Sequence, residues 1–159
     1  MVSEFYLGLG SNLGDKSNNI INALSVIRKA SGPFDVSGLY ETRPQGFTGQ
    51  PNFVNAVCRM WCKLDAFELM EWLKGLQLEL GDNRSFLNGP RILDIDILMS
   101  GSMVIQTPSL TIPHPRMFER EFVLRPLSEI APSLRHPTLG VTVIDMLNCL
   151  PHSAEVHRI

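Results

Sequence analysis

Cysteine is scarce in this chain: only Cys58, Cys62 and Cys149 occur among 159 residues. An odd count without CxxC spacing argues against a disulfide framework and points to reduced thiols in a cytoplasmic protein. Long hydrophobic runs are missing as well, and every apolar stretch falls far short of the ~20 residues that a membrane-spanning helix needs. The opening Met1-Val2-Ser3-Glu4-Phe5 lacks the basic-then-apolar order of a secretion signal, so none is expected. Charge of one sign is also lacking. The formal net charge of −2 argues against a general nucleic-acid-binding face. There is no internal repeat and no low-complexity stretch. What is present, 44% hydrophobic and 19% charged residues, is a globular composition with enough chain for one sizeable core. One domain over residues 1–159 is the expectation.

The most informative segment is Gly89-Pro90-Arg91-Ile92-Leu93-Asp94-Ile95-Asp96-Ile97-Leu98-Met99. Single carboxylates within an Ile/Leu/Met run describe a buried strand. Side chains alternate along a strand, so Asp94 and Asp96 share a face and Leu93, Ile95 and Ile97 take the other. Two carboxylates side by side repel, and burying them requires a positive group between them. A divalent cation, with Arg91 just upstream, supplies one; a solvated strand face is the plainer alternative. An anionic ligand would need a local arginine cluster, and Arg84, Arg91, Arg116, Arg120 and Arg125 all lie in the second half.

Around this segment the pattern reads βαββαβ, the split βαβ order of a ferredoxin-like α+β sandwich. Phe5 to Leu9 is a strand running into the glycine turn Gly8-Leu9-Gly10-Ser11-Asn12-Leu13-Gly14. Asp15 caps a helix with Ile20, Ile21, Leu24 and Ile27 on one face, stopped by Ser31-Gly32-Pro33. Strands follow at Val36 to Tyr40 and Phe53 to Cys62, separated by a loop from Thr42 to Asn52. Asp65 and Glu68 form a capping box for a second helix, whose core face is Phe67, Met70, Leu73 and Leu76 or Leu80 and which Gly81 ends. A polar loop from Asp82 to Pro90 precedes the aspartate strand. A turn at Ser100-Gly101-Ser102, a short strand from Met103 to Gln106, and one or two short helices, the last near Val143 to Leu150, complete the chain.

Three motifs have both a chemical and a structural reading. The glycines at 8, 10 and 14 stand where a phosphate cradle would, but match neither the dinucleotide fingerprint nor the Walker sequence, and a purely structural turn is the favoured reading. Phe53 and Asn55 share a strand face, so a ring and a carboxamide could hold a flat heterocycle by stacking and paired hydrogen bonds; ordinary packing is the alternative. In Ile112-Pro113-His114-Pro115-Arg116-Met117, His114 is stiffened by its prolines. Arg116 and Arg120 would share a face on a helical turn, lining a polyphosphate site or a solvated basic face. His136, His152 and His157 receive no role.

Together these segments resemble the 6-hydroxymethyl-7,8-dihydropterin pyrophosphokinase family. The resemblance extends over nearly the whole chain and includes Leu7 to Gly14, Glu41-Thr42-Arg43-Pro44, Pro51 to Ala56, Gly89-Pro90-Arg91 with Leu93 to Leu98, and Ile112 to Met117 with Arg120, Phe122, Val123 and Leu124. It implies transfer of pyrophosphate from ATP to the hydroxymethyl group of the reduced pterin, with release of AMP. It further implies two Mg²⁺ ions held by Asp94 and Asp96. Thr42, Gln45, Phe53, Asn55 and Phe122 would hold the pterin. Gln77, Arg91, Ile97, Thr111, His114, Arg116 and Arg120 would hold ATP, with Arg84 and Arg91 as catalytic cations. A cytoplasmic monomer working on small-molecule substrates, without nucleic acid or membrane, is the resulting expectation.

The chain departs from the family pattern at three points. Asp82 stands where many members carry the first arginine of Gly-Arg-x-Arg, Gln77 where the family has a glutamate, and Asn88 where an aromatic precedes Gly-Pro-Arg. An active enzyme, slowed by a missing loop cation, is expected. A pterin- or nucleotide-binding paralogue without transfer, another phosphotransferase using the same carboxylates, and a regulatory ligand-binding domain are the rival readings.

Overall fold

The computed structural model describes residues 1–44, 49–81, 89–151 and 155–159. Its main sheet is built on β1 (Ser3–Ser11), the long β4 (Phe53–Cys62) and β5 (Asp94–Met99). The strand order is β5-β1-β4-β3-β8, where β3 is Tyr40–Thr42 and β8 is Val156–Arg158, with β2 (Phe34–Val36) also paired to β4. All the pairings are antiparallel. This is the expected ferredoxin-like α+β arrangement, extended at one edge by β8.

The sheet separates two cores. On one face, α1 (Lys16–Ala30) and α2 (Ala66–Glu79) cover Phe5, Leu7, Leu9, Val54, Ala56, Cys58, Met60, Ile95 and Ile97. On the other, α3 (Glu121–Ile130) and α4 (Val143–Cys149) cover Tyr6, Val57, Leu98 and Met99. Local signals set the helix starts as read from the sequence. Asp15 accepts from the Asn18 amide, and Asp65 and Glu68 form the full reciprocal capping box.

Several boundaries differ from expectation, each for a physical reason. Gly8 and Gly10 belong to β1 rather than to a turn; of the three glycines only Gly14 has a positive φ, 68°. The expected strand from Val36 to Tyr40 is split into β2 and β3. At the break the Ser37 hydroxyl takes a carbonyl's place, accepting from the Val57 amide at 2.9 Å. In α2 the buried face is Ala66, Leu69, Leu73 and Leu76, leaving Phe67 41% exposed and Met70 only partly buried. Ile21 of α1 is likewise outside the core. The expected strand from Met103 shrinks to β6 (Ile105–Gln106), paired with β7 (Thr111–Ile112). The expected loop from Asp82 falls almost wholly outside the described residues.

Candidate active site

Register across three strands assembles the site. Gly10 of β1 stands opposite Asp94 of β5 on one side and Asn55 of β4 on the other. One pleat along, Gly8 stands between Asp96 and Val57. Residues directly opposite share a face, so the carboxylate pair and the Phe53/Asn55 pair lie on one sheet face with two glycines between them. The glycines are thus a side-chain-free floor: a Cβ on Gly10 would lie 2.8 Å from Asn55 Oδ1 and 3.6 Å from the Phe53 ring.

This floor belongs to an inner cleft walled by Thr42, Phe53, Asn55, Arg91, Arg120 and Phe122. Asn55 is buried, and its Nδ2 donates to Thr42 Oγ1 at 2.8 Å, which fixes the plane of the carboxamide. A second cleft of about 610 Å³, a volume typical of a small-ligand site, opens along the β5 edge. Gln77, Ile97 and Thr111 line it. Asp94, Asp96 and His114 line both clefts, so the carboxylates stand at the junction.

Arg91 spans this junction. Its Nε lies 3.3 Å from Asp94 Oδ2, and its guanidinium sits 4.7 Å from the Phe53 ring centroid. Its Nη1 donates to the Gly89 carbonyl at 2.8 Å. The Asp94 contact has the geometry of an ion pair, because Arg91 Nε makes no protein hydrogen bond. One cation therefore touches both the Phe53 ring and the Asp94 carboxylate.

His114 is placed by its backbone, whose N–H donates to the Leu98 carbonyl at 2.8 Å. Burial and the nearby Arg120 cation push its imidazole down to about 4, against the opposing pull of Asp94. The ring is neutral at pH 7. Nδ1 accepts from the Arg116 amide at 3.2 Å, so the proton sits on Nε2, which is a donor. Arg120 is half-buried and its Nε has no protein hydrogen-bond partner. Burial and Arg116 pull its guanidinium below its usual range. A desolvated cation facing the cleft calls for an anionic ligand.

Arg116 is not among the residues lining either cleft. It is exposed and donates to Glu119. Gln77 lines the outer cleft and also accepts the Ile95 amide at 2.9 Å, between the two aspartates. Gln45 and Arg84, together with the departures at Asp82 and Asn88, lie outside the described residues. Sequence reasoning missed Asn12, which is buried and bonded to both Gln50 and Arg91. The only signal was a polar residue directly after a glycine-rich strand.

Among the described residues no cluster of three His, Cys, Asp or Glu forms a ready metal cage. The donor set still fits Mg²⁺: two hard carboxylates leave coordination positions for substrate phosphates and water, as that ion prefers. Among the same residues no helix is long and apolar enough to cross a membrane, and the three cysteines are free thiols.

Comparison with known proteins gives the family. The family model for 7,8-dihydro-6-hydroxymethylpterin-pyrophosphokinase matches residues 6–132. A folic acid synthesis protein of Dictyostelium discoideum is 42% identical over 97% of this chain, which spans 23% of that protein. The 2-amino-4-hydroxy-6-hydroxymethyldihydropteridine pyrophosphokinase of Bacillus subtilis is 41% identical over 79% of this chain and 76% of its own length. The chain thus spans about a fifth of the longer relatives and most of the shorter bacterial ones. In fold, Plasmodium falciparum HPPK-DHPS superposes with a TM-score of 0.75 at 17% identity, over 93% of this chain and 42% of that one. The chain belongs to the 7,8-dihydro-6-hydroxymethylpterin-pyrophosphokinase family.

Proposed function

We propose that the two clefts carry out transfer of pyrophosphate from ATP to the hydroxymethyl group of 6-hydroxymethyl-7,8-dihydropterin. The hydroxyl oxygen forms a bond to the β-phosphorus, the bond from that phosphorus to the bridging oxygen of the α-phosphate breaks, and AMP leaves. The hydroxyl proton is lost to solvent. The family membership and the names of the bacterial relatives support this reading. The observation that carries it is the register that sets Asp94 and Asp96 beside Phe53 and Asn55 on one sheet face.

In the inner cleft, Asn55 and Thr42 present a fixed polar edge to the pterin, with Phe53 and Phe122 as its apolar walls and Gln45 added from the resemblance. Arg91, His114 and Arg120 face the phosphates. His114 contributes a neutral N–H, so it orients an oxygen without adding charge. Arg116 would reach the phosphates only by giving up Glu119. Ile97, Thr111 and Gln77 form the nucleotide wall at the β5 edge. Arg84 is assigned as a second catalytic cation by the resemblance alone. Asp94 and Asp96 would hold two Mg²⁺ ions, which when bound neutralise the polyphosphate and acidify the attacking hydroxyl. The chain's own task is alignment, since in-line transfer depends on positioning more than on covalent help.

A single domain acting as a cytoplasmic monomer is the accompanying proposal, because one chain supplies both clefts. Two plant relatives are named as mitochondrial bifunctional proteins, so cell fractionation decides the compartment and light scattering the oligomeric state. The test of function is AMP release from ATP and Mg²⁺ with and without the pterin. Pterin-dependent AMP is expected. Pterin binding without AMP would instead mark a binding protein.

A further inference from the structure

Asn12 lies outside the machinery just assigned, yet it is 1% exposed and uses nearly all its polar capacity. Its Oδ1 accepts the Arg91 amide at 2.8 Å. Its own amide donates to the Arg91 carbonyl at 3.0 Å. Both main-chain groups of Arg91 are therefore held by one residue, which continues the β1–β5 ladder past Asp94 with a side-chain oxygen in place of a backbone carbonyl. The Asn12 Nδ2 points the other way. It donates to Gln50 Oε1 at 2.7 Å and to the Pro51 carbonyl at 3.1 Å, immediately ahead of the strand that carries Phe53 and Asn55.

We propose that Asn12 is a positioning residue that couples the pterin half of the site to the phosphate half. The inference rests on the function proposed above. Ordering the Gln50–Pro51 segment around a bound heterocycle fixes the Asn12 carboxamide, and that fixes the main chain from which Arg91 reaches Asp94. The same linkage runs backwards, because thermodynamic coupling between two ligands is reciprocal. An Asn is required because the device needs one acceptor and two donors on a single planar group. Asp keeps the acceptor and loses both side-chain donors; Ala loses all three side-chain bonds and keeps only the backbone N–H to the Arg91 carbonyl.

The test is the dissociation constant of the pterin, measured with and without a non-hydrolysable ATP analogue plus Mg²⁺. Wild type, Asn12→Ala, Asn12→Asp and Gln50→Leu are compared. In wild type the analogue should tighten pterin binding, within the roughly 5–150-fold range of ordinary allosteric coupling. In Asn12→Asp and Asn12→Ala the factor should fall towards one, and in Gln50→Leu part of the way, with each binary affinity changed far less. Gln50→Leu leaves every Arg91 contact in place, so it answers the question even if the Asn12 variants fold poorly. A purely structural role would lower Tm and weaken both binary affinities at an unchanged ratio, and that result would overturn the proposal. So would full coupling in Gln50→Leu and Asn12→Asp. A wild-type protein that binds the analogue but no pterin would instead overturn the proposed function, and this inference with it.

Discussion

Gly8 and Gly10 look alike in sequence, but their surroundings differ, and substituting each by alanine should separate the site's floor from its fold. A Cβ at position 10 would sit 2.8 Å from Asn55 Oδ1, closer than such contacts occur. Asn55 cannot retreat freely, because its Nδ2 is bound to Thr42 Oγ1 at 2.8 Å. Breaking that buried hydrogen bond costs about 1–3 kcal/mol. Replacing glycine by alanine inside a strand returns about 0.5–1 kcal/mol. Gly10→Ala should therefore lower stability by only about 1 kcal/mol, well within what a domain tolerates. Ligand binding should suffer more. A displaced carboxamide loses its bonds to the heterocycle, roughly another 1–3 kcal/mol or a 5–150-fold weaker pterin Kd. Gly8→Ala is the control. Its Cβ would meet the Leu98 methyl at 3.3 Å, the far end of a flexible side chain, so small shifts absorb it and both stability and pterin affinity should stay near wild type. Pterin fluorescence titration, with thermal melts alongside, reads both quantities. Equal pterin affinities in the two variants, within twofold of wild type, would refute the placement of the heterocycle over Gly10.

Asp96→Ala should reduce turnover by orders of magnitude while leaving the melt almost unchanged, because the carboxylate faces a cleft rather than the core; near-normal turnover in a stopped assay would sink the metal assignment. Asn55→Ala should raise KM for the pterin far more than for ATP, and equal effects on both in steady-state kinetics would refute its place in the inner cleft. His114 should stay neutral down to about pH 4 in the free protein, so its imidazole resonances should not titrate between pH 8 and 5.5. The sign follows from linkage. A depressed histidine pKa means that the unfolded chain binds the extra proton first, so stability contributed by the neutral ring is complete above about pH 6.5 and falls as pH drops towards the folded value. A His114 midpoint near 6.5 would contradict the burial argument.

The parts of the site legible in sequence were those written in short-range chemistry. Alternation alone put Asp94 and Asp96 on one face, and the capping residues Asp15 and Asp65 announced both helices on the α1/α2 side. The parts that stayed hidden depend on what a segment meets far away. Gly8-Leu9-Gly10 reads as a turn because glycine is common there, and only pairing with β4 and β5 shows that the chain stays extended. Asn12 acts across separations of 38 and 79 residues, which no local pattern records. In α2, buried faces built on Leu69 or on Met70 differ by a single position, and packing chose the former. The two arginines part for a geometric reason. An α-helical turn would set Arg116 and Arg120 on one face, but the chain between them forms the 3-10 turn Met117–Glu119. At about three residues per turn, side chains four apart are rotated by about 120°. Arg120 therefore turns into the cleft while Arg116 turns out to Glu119.

The position of β5 explains why the carboxylates stand where two clefts meet. As an edge strand it pairs with β1 on one side only, so its outward backbone groups need other partners. Two of them have such partners: the Gln77 side chain accepts from Ile95, and the His114 amide donates to Leu98. Both capping residues also line the outer cleft. The groups that satisfy the strand's edge are thus ones that line the outer cleft, while the strand's face carries Asp94 and Asp96 into the inner cleft. A central strand would offer the face but not the edge. A solvent-exposed edge would offer no fixed wall. Placing the aspartates on a capped edge strand would let one short segment address a flat heterocycle across its face and a polyphosphate around its side. The transfer proposed here requires both to meet at a single phosphorus.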